Sequence, residues 1–349
     1  MRRVVPVASL ALLLTCLPIA GGAATPLQAP PQAVVEPPVA SADEPVADLG
    51  LVVVSGELPG PGLWKISRGE HVLWLLGDLS PLPRDMQWQS RDVEAAIVQS
   101  QEIIQPPTVG LSANIGFFRG LTLLPSLLGA RKNPDGKTLQ QVVPPELYAR
   151  WRQLKARYIG RDNDVEQWRP VFAALELYEA AIAKAGLTRK GVVGPFVDDA
   201  AKRHEIRVTA PRVTVVIDDP KQALKEFRDE TFGDLDCFRK TLDHLESDLG
   251  TMTARANAWA TADLEAMRAL PYTDQAAACR EALNDIGVAR KRGMADSEAR
   301  ASRAWMDAAD AALARNASTF ALLPIAELIK PNGYLDRLRA RGYTVEAPL

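Results

Sequence analysis

The chain is predicted to be an α/β protein. Its central mixed sheet is built from the N- and C-terminal segments, with a long helical insertion between them. Three observations carry that prediction. Short apolar runs bounded by turn residues lie at 63–67 and 72–76, and again at 320–323 and 343–346. Between them, apolar residues recur mainly at helical spacing. A hydrophobic share of 47% over 349 residues is enough to fill one large core or two small ones.

The elements follow in order. Arg2 and Arg3 precede an apolar run over 4–17, shorter than the ~20 residues a membrane helix needs. Small residues from Gly21 to Ala24 place a cleavage site near Ala24, so residues 1–24 read as a signal peptide. Export implies an oxidising compartment, here the periplasm, with no transmembrane segment after cleavage. Residues 25–57 are rich in Pro and Ala, including Pro26, Pro30, Pro31, Pro37, Pro38 and Pro45. They read as a disordered linker, since Pro fixes φ and donates no hydrogen bond. The folded body is expected over 58–349, with the insertion at about 108–317.

Within the body, Gly69 marks a hairpin between the first two strands. Ser90 is placed to cap a helix carrying Val93, Ala96 and Ile97, and a short buried strand follows at Ile103 and Ile104. Pro106 and Pro107 stop it, completing a βαβ unit. Pro145 suits a first helical turn ahead of Leu147, Trp151, Leu154 and Tyr158. Trp168, Phe172, Leu175 and Ile182 continue that kind of stripe. The β-branched stretch 207–217 predicts one or two strands. Helices are expected over 235–252, 254–267, 276–290 and 298–315. A strand at 320–323, a helix over 334–341 broken by Gly342, and a strand at 343–346 end the chain.

A net charge of −2, a pI near 6.0 and no long basic run exclude a nucleic-acid partner. The chemistry is expected at two strand ends. The first reads Leu73-Trp74-Leu75-Leu76-Gly77-Asp78-Leu79-Ser80, and the second Thr319-Phe320-Ala321-Leu322-Leu323-Pro324-Ile325-Ala326-Glu327. Together they resemble the TraB/GumN family, and the related Tiki-type metalloproteases, whose members carry Gly-x-x-His at a strand end in both places. The resemblance covers about 59–348. It implies an α/β core, a divalent metal held by the two imidazoles and a glutamate after the next strand, and metal-dependent hydrolysis.

Both motifs are degenerate here. Gly77 is kept, but Ser80 stands at the first imidazole position; Pro324 replaces the second glycine and Glu327 the second imidazole. Gln105 and Pro106 fall where the glutamate would stand. Without a nitrogen or sulfur ligand this is a poor zinc set, so no metal ligand and no cofactor are assigned. Asp78, Ser80 and Glu327 are the remaining candidates of a vestigial site. Asp78 and Glu327 could hold Mg²⁺ or Ca²⁺ weakly through oxygen alone, but they read rather as caps of a strand end and a helix start. Ser80 lacks the Gly-x-Ser-x-Gly context of a nucleophile, and Pro81 removes a backbone N–H that an oxyanion hole would use. The resemblance thus points to a pseudoenzyme with a binding or accessory role near exopolysaccharide or envelope assembly, components of which are its expected partners. The alternative is a hydrolase with an altered site. Gly77 and Trp88, near the crevice mouth, are the candidate binding residues.

His71, His204 and His244 each read as surface residues. Of the three cysteines, Cys16 falls in the signal peptide, and Cys237 and Cys279 lie on separate predicted helices. In an exported chain they are expected to form a disulfide.

Overall fold

In a computed structural model the described residues are 60–113, 123, 126, 129–230, 233–247, 249–270, 275–284, 286–291 and 293–348. The expected signal peptide and linker lie outside them.

β1 (Leu63–Arg68) and β2 (His71–Asp78) form the expected hairpin, from Leu63 opposite Leu76 to Arg68 opposite His71. Gly69 turns the chain at φ +60°, a conformation that costs glycine nothing. β3 (Leu82–Pro83), the wholly buried β4 (Glu102–Ile104) and β5 (Thr108–Ala113) follow. Next come β6 (Leu187–Thr188), then β7 (Arg207–Thr209) and β8 (Arg212–Ile217) from the β-branched stretch. β9 (Ser318–Pro324) and β10 (Thr344–Glu346) close the chain.

The main sheet has six strands in the order β10-β1-β2-β9-β4-β7. β2, β9, β4 and β7 run parallel, and β1 is antiparallel to both its neighbours. The sheet is therefore mixed, and its centre joins the N-terminal β2 to the C-terminal β9. Phe320, Ala321, Leu322 and Leu323 are all buried, a continuous apolar run of the kind a parallel strand covered on both faces requires. Helices Ser297–Arg315 and Ile325–Ile329 pack against β2. Two smaller parallel or antiparallel pairs, β5 with β8 and β3 with β6, stand apart from the main sheet.

A second apolar core lies within the helical stretch, around Trp151, Leu177, Phe238 and Leu242. Helices Pro145–Tyr158, Pro170–Lys184, Leu235–Ser247 and Gln275–Asn284 build it. Pro145 and Pro170 each open a helix, where the missing N–H has no intrahelical acceptor to lose. Cys237 and Cys279 are disulfide-bonded in this core, joining two of its helices.

Some local expectations change. Ser90 precedes helix Arg91–Val98 but makes no side-chain cap bond. Its backbone is already helical at φ −99°, ψ −1°, whereas a capping side chain needs an extended residue beneath it. The helices expected over 235–252 and 254–267 divide instead into Leu235–Ser247, Leu249–Ala260 and Leu264–Ala269. Ala262 turns the chain at φ +55°, and the Asp263 carboxylate accepts from the Ala266 N–H to start the third helix. The helix expected over 276–290 is likewise two, Gln275–Asn284 and Gly287–Lys291. No helix among the described residues is long and apolar enough to cross a membrane.

Candidate functional site

β2 and β9 are parallel neighbours, so both end on the same side of the sheet, with Asp78 opposite Pro324. Strand C-termini in such sheets border the crevice where ligands bind. The two degenerate motifs meet there.

Gly77 is a glycine for reasons of space. A Cβ on it would collide with Ile325 Cδ1 and stand 3.2 Å from the Trp64 ring. Its carbonyl accepts a hydrogen bond of 2.7 Å from the Trp259 indole N–H. The hollow beside it, between Trp64, Trp259, Met267 and Ile325, measures only about 10 Å³.

Asp78 is half-buried, and its Oδ1 has no hydrogen-bond partner among the described residues. Burial pushes its carboxyl up from 3.8 to about 6, and the hydrogen bond from the Leu79 N–H only partly offsets that. A raised native value means stability is present below pH 3.8 and is lost as pH rises through 6. Asp78→Asn should therefore raise stability at pH 7 by about 1–2 kcal/mol, read as a shifted urea midpoint. An unchanged or lowered midpoint would show that the ionised carboxylate is better solvated than its burial indicates.

Ser80 is exposed, and its hydroxyl donates to the Arg189 carbonyl at 3.4 Å. Glu327, in the first turn of helix Ile325–Ile329, is ion-paired with Lys330 at 2.6 Å. Gln105, just past β4, donates through its side-chain amide to Asp198 at 2.8 Å. Trp88 is half-buried rather than open, its ring edge-on to Phe196 at 5.1 Å and 5.9 Å from Trp259.

The donor set here is a carboxyl driven toward its neutral form, a hydroxyl, an amide and a lysine-paired carboxylate. It does not suit a zinc ion, which prefers imidazole and thiolate. Among the described residues no three or more His, Cys, Asp or Glu side chains stand together as a metal site. The histidines are elsewhere. His204 is exposed as expected, but His71 and His244 are half-buried. His71 Nδ1 lies 2.7 Å from the Asn316 carbonyl, and His244 stands 5.8 Å from the Tyr178 ring.

Sequence reasoning missed the most heavily bonded group in the sheet. Glu102, at the start of β4, has only 1% of its side chain exposed. It accepts from Arg207 at 2.7 Å, from Arg315 at 2.7 and 2.9 Å, from Asn316 at 2.8 Å and from the Thr209 hydroxyl. Burial raises its carboxyl, but these bonds more than reverse that and hold it at about 2. It lies beside the N-terminal end of β9, away from the crevice. A charge at the head of a buried strand was the one available signal.

No curated protein and no solved structure matches the chain. A model of the TraB/PrgY/gumN family does match it, over residues 62–347, nearly all of the body in which the two strand-end motifs meet, and the chain belongs to that family.

Proposed function

We propose that the protein is a degenerate member of its family, a pseudoenzyme exported to the periplasm. There it serves a binding or accessory role near exopolysaccharide or envelope assembly. One observation carries the reading: the residues at the two imidazole positions are already engaged, Ser80 with the Arg189 carbonyl and Glu327 with Lys330. A net charge of −2 supports a partner other than a nucleic acid.

Metal analysis of protein purified without chelator tests this. The expected result is far less than one zinc per chain; near-stoichiometric zinc would overturn the pseudoenzyme reading.

A second reading is supported by Asp78. A carboxyl at about 6 in a strand-end crevice has the acidity a general acid or base needs. On that reading the protein is a hydrolase with an altered site built on Asp78, Ser80 and Glu327. Hydrolysis of a peptide or glycan substrate, abolished in Asp78→Asn although that variant is the more stable, would favour it over the pseudoenzyme.

A further inference from the structure

A second hollow lies away from the strand C-termini. It is an open hollow of about 630 Å³ lined by Arg68, His71, Asp310, Leu313, Ala314, Arg341 and Tyr343. Arg68 ends β1 and His71 begins β2, so the hollow lies at the opposite end of β2 from Asp78. Its volume falls within the range of small-molecule sites.

The polar groups are arranged by their neighbours. Arg68 and His71 face each other across the hairpin, so their side chains stand side by side on one face. Arg68 lies flat over the Tyr343 ring, 3.9 Å from its centroid, and gives one N–H to the Arg341 carbonyl. It has no carboxylate partner among the described residues, and the rest of its donor fork is unspent. The Asn316 carbonyl can only accept, so His71 carries its proton on Nδ1 and leaves Nε2 as an acceptor for a hydroxyl. The one carboxylate on the wall, Asp310, is neutralised by Arg341 and accepts from the Tyr343 hydroxyl at 2.8 Å. Asp307, on the same helix, also pairs with Arg341, at 3.7 Å. Of the two arginines on the wall, Arg68 is the one with no carboxylate partner among the described residues.

We propose that this hollow is a binding site for a small anionic ligand, whose carboxylate or phosphate group is held by Arg68 while a hydroxyl of the ligand donates to His71 Nε2. The inference does not rest on the pseudoenzyme reading, because it uses none of the strand-end residues. The rest of the hollow, floored by Leu313 and Ala314, accommodates a body about the size of a sugar.

Calorimetric titration of the folded protein tests it, with inorganic phosphate, glucose 6-phosphate, glucuronate and neutral glucose as probes. Saturable binding of a phosphate or of glucuronate, with none of glucose, is expected. Preference between glucose 6-phosphate and glucuronate then distinguishes the two sources of the anion. Arg68→Lys keeps the charge and loses the fork; His71→Asn keeps a donor for the Asn316 carbonyl and loses Nε2. Each should weaken binding about tenfold or more while the thermal midpoint stays near that of the parent. Equal binding of glucose, no binding of either kind of anion, or unchanged affinity in both variants would overturn the proposal.

Discussion

Glu102→Ala should destabilise the protein by about 3 kcal/mol, seen as a lowered urea midpoint in circular dichroism. Removing this carboxylate leaves the buried Asn316 amide and two arginines aimed at a space with no acceptor. The arginines are 57% and 45% exposed and recover water, which keeps the loss below that of a fully buried triad. The size agrees with the depression of the carboxyl from 4.5 to about 2, which also corresponds to about 3 kcal/mol. Its pH dependence follows. A depressed native value gives stability that is complete above pH 4.5 and is lost as pH falls through 2. Wild-type midpoints should fall across that window, and those of Glu102→Gln should lack this component. Equal acid slopes in the two proteins would place the sensitivity at other carboxyls.

Loss of the Cys237–Cys279 bond should cost about 4 kcal/mol, the loop-closure value for a sequence separation of 42. Both cysteines are buried in the second core, on helices that pack against each other. Under reducing conditions, or in Cys237→Ser with Cys279→Ser, the thermal midpoint should drop by roughly ten degrees or more. Thiol labelling of denatured, unreduced protein should find neither cysteine free. Complete labelling of both would show that the isolated protein lacks the bond.

What was legible in the sequence is what depends on local order. The runs at 72–76 and 320–323 announce buried strands because every residue in them is apolar, and they do pair, from Val72 opposite Ser318 onward. Gly77 was legible only as a kept motif glycine, and the packing that requires it was not: Ile325 and Trp64 occupy the volume a side chain would need. The partners of Glu102 were not legible. Arg207, Thr209, Arg315 and Asn316 carry no local mark of a shared carboxylate, and only the sheet brings them together. The Arg68–His71 hollow was hidden likewise. A hairpin turn reads as solvent-exposed until the helix Ser297–Arg315 and the residues before β10 are laid against it.

The position of β9 has a consequence for how the chain comes to be folded. β9 is hydrogen-bonded to β2 on one side and β4 on the other, yet it is made only after the whole helical stretch that follows them. Until it arrives, those two strands present unsatisfied edges, and closure must span most of the polypeptide, a high contact order that makes assembly slow. The helical core, built from residues between Leu139 and Ala282 and closed by its own disulfide, does not include β9. A chain cut short before Ser318 would thus keep a foldable middle and lose the keystone strand, leaving apolar edges that invite aggregation.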